Sequence, residues 1–173
     1  MEEGYKIVEN YSHRQLDQFP QNLCVTQDSR GIIYVGNLGA LNIYDGVSWR
    51  RVRVPNRVVC SLAVDNNDTV LVGGKNQLGY LEAVENGHLE YRSLLEKLPK
   101  DYREFGNIWK TYATIDGIYF QSTKYLFRWK NGEMTVHKPR GKKFNIAFAI
   151  GNILYTRQHG IGLLARNLSE PSS

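Results

Sequence analysis

Cysteine is almost missing from this chain. Cys24 and Cys60 are the only two in 173 residues, and neither has a second Cys or a His two to four positions away. That spacing excludes a thiolate metal site and leaves the pair reading as buried free thiols, because nothing in the sequence announces the oxidising compartment a disulfide would need. Long apolar runs are missing too. None approaches the roughly 18 residues of a membrane helix, and the opening Met1-Glu2-Glu3 is acidic where an export leader would be basic and then apolar. The chain therefore reads as soluble, with no membrane segment and no signal peptide of its own. Charge of one sign is nowhere massed: 22 Lys and Arg alternate along the chain with 17 acidic residues, for a net charge of +5. That pattern argues against a dedicated nucleic-acid binder.

Catalytic signatures are absent as well. There is no Gly-x-Ser-x-Gly elbow, no P-loop and no paired dinucleotide glycines, and Gly36-Asn37-Leu38-Gly39 lacks the following helix that phosphate binding requires. The four histidines, His13, His88, His137 and His159, have no partner at a metal-ligand spacing, and His88 and His137 read as solvated because each closely follows a hairpin glycine. The expectation is a chain without enzymatic activity, cofactor or metal. Asn10-Tyr11-Ser12, Asn67-Asp68-Thr69 and Asn167-Leu168-Ser169 match the glycosylation acceptor pattern, which matters only in a eukaryotic secreted protein.

What is present is β-forming. Tyrosine dominates the aromatics, 11 against 6 Phe and 3 Trp, and 16 glycines supply tight turns, while 42% hydrophobic residues suffice for the core of one domain. These residues also repeat. Ile33-Tyr34-Val35, Val70-Leu71-Val72, Ile118-Tyr119-Phe120 and Leu154-Tyr155-Thr156 align with centres 37, 48 and 36 residues apart, and ten residues beyond each centre a second short strand ends. In the first three units a turn follows, at Asp45-Gly46, Asn86-Gly87 and Asn131-Gly132, and then a third strand. One more apolar run precedes each centre. Each full unit is thus a four-stranded antiparallel meander of 40 to 50 residues or so, the signature of a β-propeller blade.

The fold expected is all-β, a partial β-propeller with three complete four-stranded blades and an incomplete fourth. Blades are placed at 21–56, 57–106, 107–144 and 145–173, with residues 1–20 a lead-in containing a short strand at Tyr5–Glu9. The stretch LLEKLPKDYREFG, residues 94–106, adds about a dozen residues to the second unit and reads as a surface insertion or a loop over a binding face, with room for one helical turn before Pro99.

With the units laid out, the chain resembles the two-component regulator propeller family, the sensor propellers of bacterial hybrid histidine kinases and related signalling proteins. The likeness is carried by Gln27-Asp28 with Gly31-Ile32-Ile33-Tyr34-Val35-Gly36, by Tyr44-Asp45-Gly46 and Trp49, and by Leu78-Gly79-Tyr80-Leu81, Asp116-Gly117-Ile118-Tyr119-Phe120 and Leu126-Phe127-Arg128-Trp129. The resemblance implies a non-catalytic sensor module that lies outside the cytoplasmic membrane, in the periplasm, recognises an extracellular ligand such as a saccharide, and passes the signal to downstream domains. Those domains are not in this sequence, so it reads as part of a larger sensor. A scaffold for a protein partner, or a propeller hydrolase or lyase that has lost blades, are the alternatives.

Propellers bind at one end of their axis, through loops between the second and third strands of each blade and through the connections between blades. Position in the repeat nominates Asn37, Lys75, Asn76, Gln77, Lys124, Arg157, Gln158 and His159 from the first set and Arg57, Arg103, Arg140 and Lys143 from the second, with Tyr102 and Tyr125 as aromatic contacts. Asp101 and Glu104 form the one nearby carboxylate pair and read as solvated. The basic stretch Trp49-Arg50-Arg51-Val52-Arg53 falls on an outermost strand, where charge guards an edge against other chains, and Lys138-Pro139-Arg140-Gly141-Lys142-Lys143 reads as a solvated inter-blade loop. Terminal blades with an uncovered apolar face also lead us to expect self-association.

Overall fold

The structure is a computed structural model in which residues 10–12 and 19–168 are described. His13 and the strand expected at Tyr5–Glu9 lie outside them. Fifteen strands follow in chain order: β1 (Asn22–Gln27), β2 (Ile33–Asn37), β3 (Leu41–Tyr44), β4 (Trp49–Val52), β5 (Val59–Val64), β6 (Val70–Gly74), β7 (Gln77–Ala83), β8 (Leu89–Ser93), β9 (Lys110–Thr114), β10 (Gly117–Gln121), β11 (Leu126–Lys130), β12 (Glu133–His137), β13 (Phe144–Ile150), β14 (Ile153–Gln158) and β15 (Gly162–Asn167). They form four antiparallel meanders, β1–β4, β5–β8, β9–β12 and the three-stranded β13–β15. No fourth strand accompanies β15 among the described residues.

Turn chemistry sets each meander. Asn131 and Gly132 both adopt positive φ, 51° and 80°, which gives the tight turn that holds Lys130 opposite Glu133. At the matching turn of the first blade the Asp45 carboxylate accepts the amides of Val47 (3.0 Å) and Ser48 (2.8 Å), and these bonds bring its pKa down to about 2.

Stacking of the meanders explains why their middle strands are apolar on both faces. Strand alternation sends Tyr34 and Ile43 of blade 1 toward Val70, Val72 and Leu81 of blade 2, and Leu71 and Leu78 of blade 2 toward Ile108, Phe120 and Phe127 of blade 3. Tyr119 and Leu126 of blade 3 meet Phe144, Ala147 and Leu154 of blade 4. Three separate cores therefore fill three seams. The aligned centres Tyr34, Leu71 and Tyr119 are each fully buried and each faces the following blade, so they occupy equivalent places. The structure is a partial β-propeller.

The stretch 94–106 lies at the surface, with Glu96, Lys97, Pro99, Lys100, Asp101 and Glu104 exposed, but it is anchored at three points. It makes two 3-10 turns, Leu95–Lys97 and Lys100–Tyr102, and Leu94, Leu98 and Phe105 drop into the core between blades 2 and 3. His137 also differs from expectation, being half-buried at the outer part of blade 3 with Nε2 3.5 Å from Arg166. Cys24 and Cys60 are unpaired, and burial pushes their thiols up to about 12 and about 11. No helix is long and apolar enough to cross a membrane among the described residues.

Candidate functional site

One end of the arc gathers the β2–β3, β6–β7, β10–β11 and β14–β15 loops and the connections between blades. There, at the seam of blades 1 and 2, lies a groove of about 710 Å³ lined by Gly39, Ala40, Arg51, Arg53, Asn56, Arg57, Tyr91 and Ser93 among others. A second hollow of about 290 Å³ adjoins it, shares Arg51 and Arg57, and extends to Phe19, Pro20 and Asn37.

The sequence builds this groove simply. Alternation along β4 turns Arg50 away to Asp45, 2.8 Å distant, and puts Arg51 and then Arg53 on the other side. The chain next crosses to blade 2 through Val54-Pro55-Asn56-Arg57, in which Asn56 and Arg57 both take left-handed backbone, φ 62° and 59°. Two successive non-glycine residues in that region cost about 1–3 kcal/mol each. The connection is held there by the Arg57 amide donating to Val54 O (3.0 Å) and by Asn56 Nδ2 donating to Lys75 O (2.9 Å). All three guanidinium-bearing residues are exposed, and neither Arg53 nor Arg57 has an ion pair with a described carboxylate. Opposite them, the Tyr91 hydroxyl donates to Gln77 Oε1 (3.3 Å), and burial raises its pKa so that the phenol stays neutral.

Of the residues nominated from sequence, Asn37 and Arg57 come together at the smaller hollow, and Arg57 lines the groove as well. Asn37 is almost wholly buried, and its Oδ1 accepts the amides of Gly39 and Ala40, each at 2.8 Å, which shapes the wall. Lys75, Asn76 and Gln77 sit at the next loop. There Asn76 Oδ1 accepts the Gly106 amide (2.6 Å) and Gln77 is buried, so this loop ties blades 2 and 3 together. Lys124 and Tyr125, in the β10–β11 loop of blade 3, meet the 94–106 segment that also carries Arg103: Tyr125 packs edge-on against Tyr102 at 5.2 Å, Lys138 Nζ lies 5.4 Å from the Tyr102 ring, and Lys124 Nζ reaches Glu104 O (2.8 Å). Arg103 Nε donates to Leu98 O (2.9 Å). Arg140, Lys143, Arg157, Gln158 and His159 lie on blade 4, where buried Gln158 accepts the Arg140 amide at 2.7 Å and the His159 amide donates to Lys143 O at 2.9 Å. Asp101 and Glu104 are exposed.

Sequence reasoning missed Arg51, Arg53 and Asn56 as groove residues. The i, i+2 spacing of Arg51 and Arg53, followed by Arg57 in the connection, was the available signal; it places three cations on one side of a chain entering the next blade. Among the described residues, no group of His, Cys, Asp and Glu is arranged to hold a metal.

No family model matches the chain, and no curated protein does. Solved structures do. The chain is similar to the WD40 β-propeller domain of Doa1, with TM-score 0.62 and 13% identity over 86% of this chain and 52% of that one. It is also similar to selenomethionine-substituted virginiamycin B lyase from Staphylococcus aureus (TM-score 0.59, 12% identity, 89% of this chain and 59% of that one) and to a catalytically inactive variant of that lyase with quinupristin (TM-score 0.55, 12% identity). At such identities the likeness is one of fold. The chain spans little more than half the length of these propellers.

Proposed function

We propose that this chain is a non-catalytic ligand-binding propeller module of a bacterial signalling protein, related to the two-component regulator propellers that its blade motifs resemble. The groove at the seam of blades 1 and 2 carries the reading. It lies at the loop end of the arc, it has the size of a small-molecule site, and its named polar side chains are guanidinium, amide, hydroxyl and a neutral phenol. These groups bind and orient at neutral pH. A site between two blades also couples occupancy to the angle between them, which is what a relay of an extracellular signal needs.

The test is a thermal-shift survey of the purified chain against small saccharides and organic acids, with each ligand recovered and analysed afterwards. A ligand present at a hundredfold excess over its Kd should stabilise the fold by about 2.7 kcal/mol. It should come back chemically unchanged, and the gain should vanish in Ser93→Trp, which fills the groove. Conversion of the ligand into product would overturn the non-catalytic reading. The second reading is a scaffold for a protein partner, favoured by the Tyr102, Tyr125 and Lys138 cluster, since aromatic and cationic groups of this kind anchor protein interfaces.

A further inference from the structure

Charge that is balanced when read along the chain is unbalanced when read by blade. Residues 134–169, from the outer strand of blade 3 through blade 4, hold six Lys and Arg and no Asp or Glu, so the other 137 residues hold 16 Lys and Arg against 17 acidic residues. The net charge of +5 comes from this stretch. Arg166 is turned to Asp116 and His137. Lys138, Arg140, Lys142 and Lys143 are exposed together on the connection from blade 3 to blade 4, and none of them has an ion pair with a described carboxylate. The backbone that displays them is firmly held. The Lys142 amide donates to His159 O (3.2 Å) and the His159 amide donates to Lys143 O (2.9 Å), which pins the connection along the β14–β15 turn. Buried Gln158 accepts the Arg140 amide at 2.7 Å, and Gly141 lies so close that a Cβ there would stand 2.2 Å from His159 O. The Phe144 amide donates to Thr123 O (2.9 Å), so this ledge is tied across the seam to blade 3. Four like charges on a fixed frame repel one another, and an anionic partner relieves that repulsion.

At its blade 3 end the ledge changes character. Lys138 Nζ lies 5.4 Å from the centre of the half-buried Tyr102 ring, Tyr125 packs edge-on against that ring, and Asp101 and Glu104 are exposed on the same segment as Tyr102. A uniformly anionic polymer or bilayer would meet these carboxylates as well as the cations, and a flat lipid surface cannot seat on half-buried rings. A protein segment varies its charge from residue to residue. Resting on the second reading above, a scaffold for a protein partner, we infer that the ledge docks an extended acidic segment of that partner. Its clustered Asp and Glu side chains lie along Lys138, Arg140, Lys142 and Lys143, and a neighbouring aromatic or apolar residue seats at Tyr102 and Tyr125.

The experiment is fluorescence anisotropy of a labelled peptide of five glutamates, a glycine and two tyrosines, titrated with the full chain. The competitors are the same peptide with glutamine in place of glutamate, a strand of twelve thymidines, a heparin hexasaccharide and phosphatidylglycerol vesicles. The acidic peptide should bind saturably, one per chain, about tenfold or more tightly than its glutamine counterpart. The double substitution Lys142→Gln, Lys143→Gln should weaken it roughly fivefold or more, while Arg50→Gln, Arg92→Gln, which removes the same charge from the outer strands of blades 1 and 2, should change it less than about twofold. Acetylation of lysines read by mass spectrometry supplies a second measurement that needs no variant: the acidic peptide should protect Lys142 and Lys143 and leave Lys97 reactive. Equal loss in both double variants, protection spread over all lysines, or tighter binding of the thymidine strand, the heparin hexasaccharide or the vesicles would overturn the inference. Equal binding of the glutamine peptide, lost in Tyr102→Ala, would overturn it while leaving the scaffold reading intact. Binding of neither peptide would overturn both.

Discussion

Asp116 shows how this fold keeps a buried charge. Burial works against its carboxylate, yet the Tyr119 hydroxyl (2.6 Å), the Lys130 ammonium (3.0 Å) and the Arg128 guanidinium (2.7 Å) outweigh that cost and hold its pKa below the ordinary 3.8. Asp28 repeats the device in blade 1 with Tyr34 and Arg30. Asp116→Ala removes the carboxylate that the largely buried Arg128, Lys130 and Tyr119 share, and should lower unfolding free energy by roughly 3 to 5 kcal/mol in urea titrations. Tyr119→Phe removes one donor to a charged acceptor and should cost about 1.5 to 3 kcal/mol. A smaller loss for Asp116→Ala than for Tyr119→Phe would contradict this account. The same groups shape the pH dependence. Asp28 and Asp116 have lowered pKa values, so their contribution is whole above the unfolded value of 3.8 and is lost as pH falls through their folded values. His137 acts earlier. Burial, and then the charges of Arg166 and Arg128, lower its pKa below 6.5, so the fold prefers the neutral ring and loses stability as pH drops from 6.5 toward the folded value. Stability should therefore fall in two steps on acidification, and His137→Gln should remove the first and leave the second.

At the scale of the strand, Gly36 and Gly73 hold the same position in successive blades, two residues past the centres Tyr34 and Leu71. A Cβ on Gly36 would run into Cys24 of its own inner strand and Val59 of the next blade, and one on Gly73 would meet Ser61 of its own inner strand and Ile108 and Thr111 of the next blade. Inner strands converge here, tied between blades 2 and 3 by Ser61 Oγ, which donates to Ile108 O (2.9 Å) and sits 2.7 Å from Thr111 Oγ1. Gly36→Ala and Gly73→Ala should each cost about 1 to 3 kcal/mol through overpacking alone, because neither glycine needs positive φ. Unchanged thermal midpoints would show that the seams can yield. The strands themselves were legible in the sequence, because a ten-residue offset from Tyr34, Leu71, Tyr119 and Tyr155 fixes a hairpin whatever packs on it. The buried role of residues 94–106 was not, since Leu94, Leu98 and Phe105 are spaced like a polar loop's stray apolar residues until a neighbouring blade is there to receive them. The groove and its adjoining hollow were half legible: repeat position picked out Asn37 and Arg57, but whether Arg51 and Arg53 guard an edge or line a hollow depends on the strand's facing and on where the next blade begins.

Across the described residues, four sheets share three seams. The centre of each of the first three blades is buried against the blade that follows, whereas Tyr155, the centre of the fourth, is half-exposed because no described sheet covers it. The same uncovered face carries Phe148, Ile150 and Leu163, exposed by 44%, 66% and 63%. At the other end Val25 is 69% exposed beside half-buried Ile33 and Val35, while Tyr11 covers another part of the blade, its ring tilted against Tyr44 and edge-on to Trp49. A second copy that laid its first blade on the fourth blade of its neighbour would repeat the geometry of the three internal seams and bury both faces. Such a contact joins two different surfaces, so it closes a ring if the accumulated rotation allows and otherwise grows into longer assemblies. The purified chain should therefore associate in a concentration-dependent way in sedimentation experiments. Phe148→Asp, which places a charge in the middle of the seam, should shift it to monomer. Val47→Asp, at an exposed turn outside both faces, should leave association unchanged. A chain that stays monomeric at all accessible concentrations, or one that associates equally well with Asp at position 148, would mean that the fourth blade is not a docking face for the first.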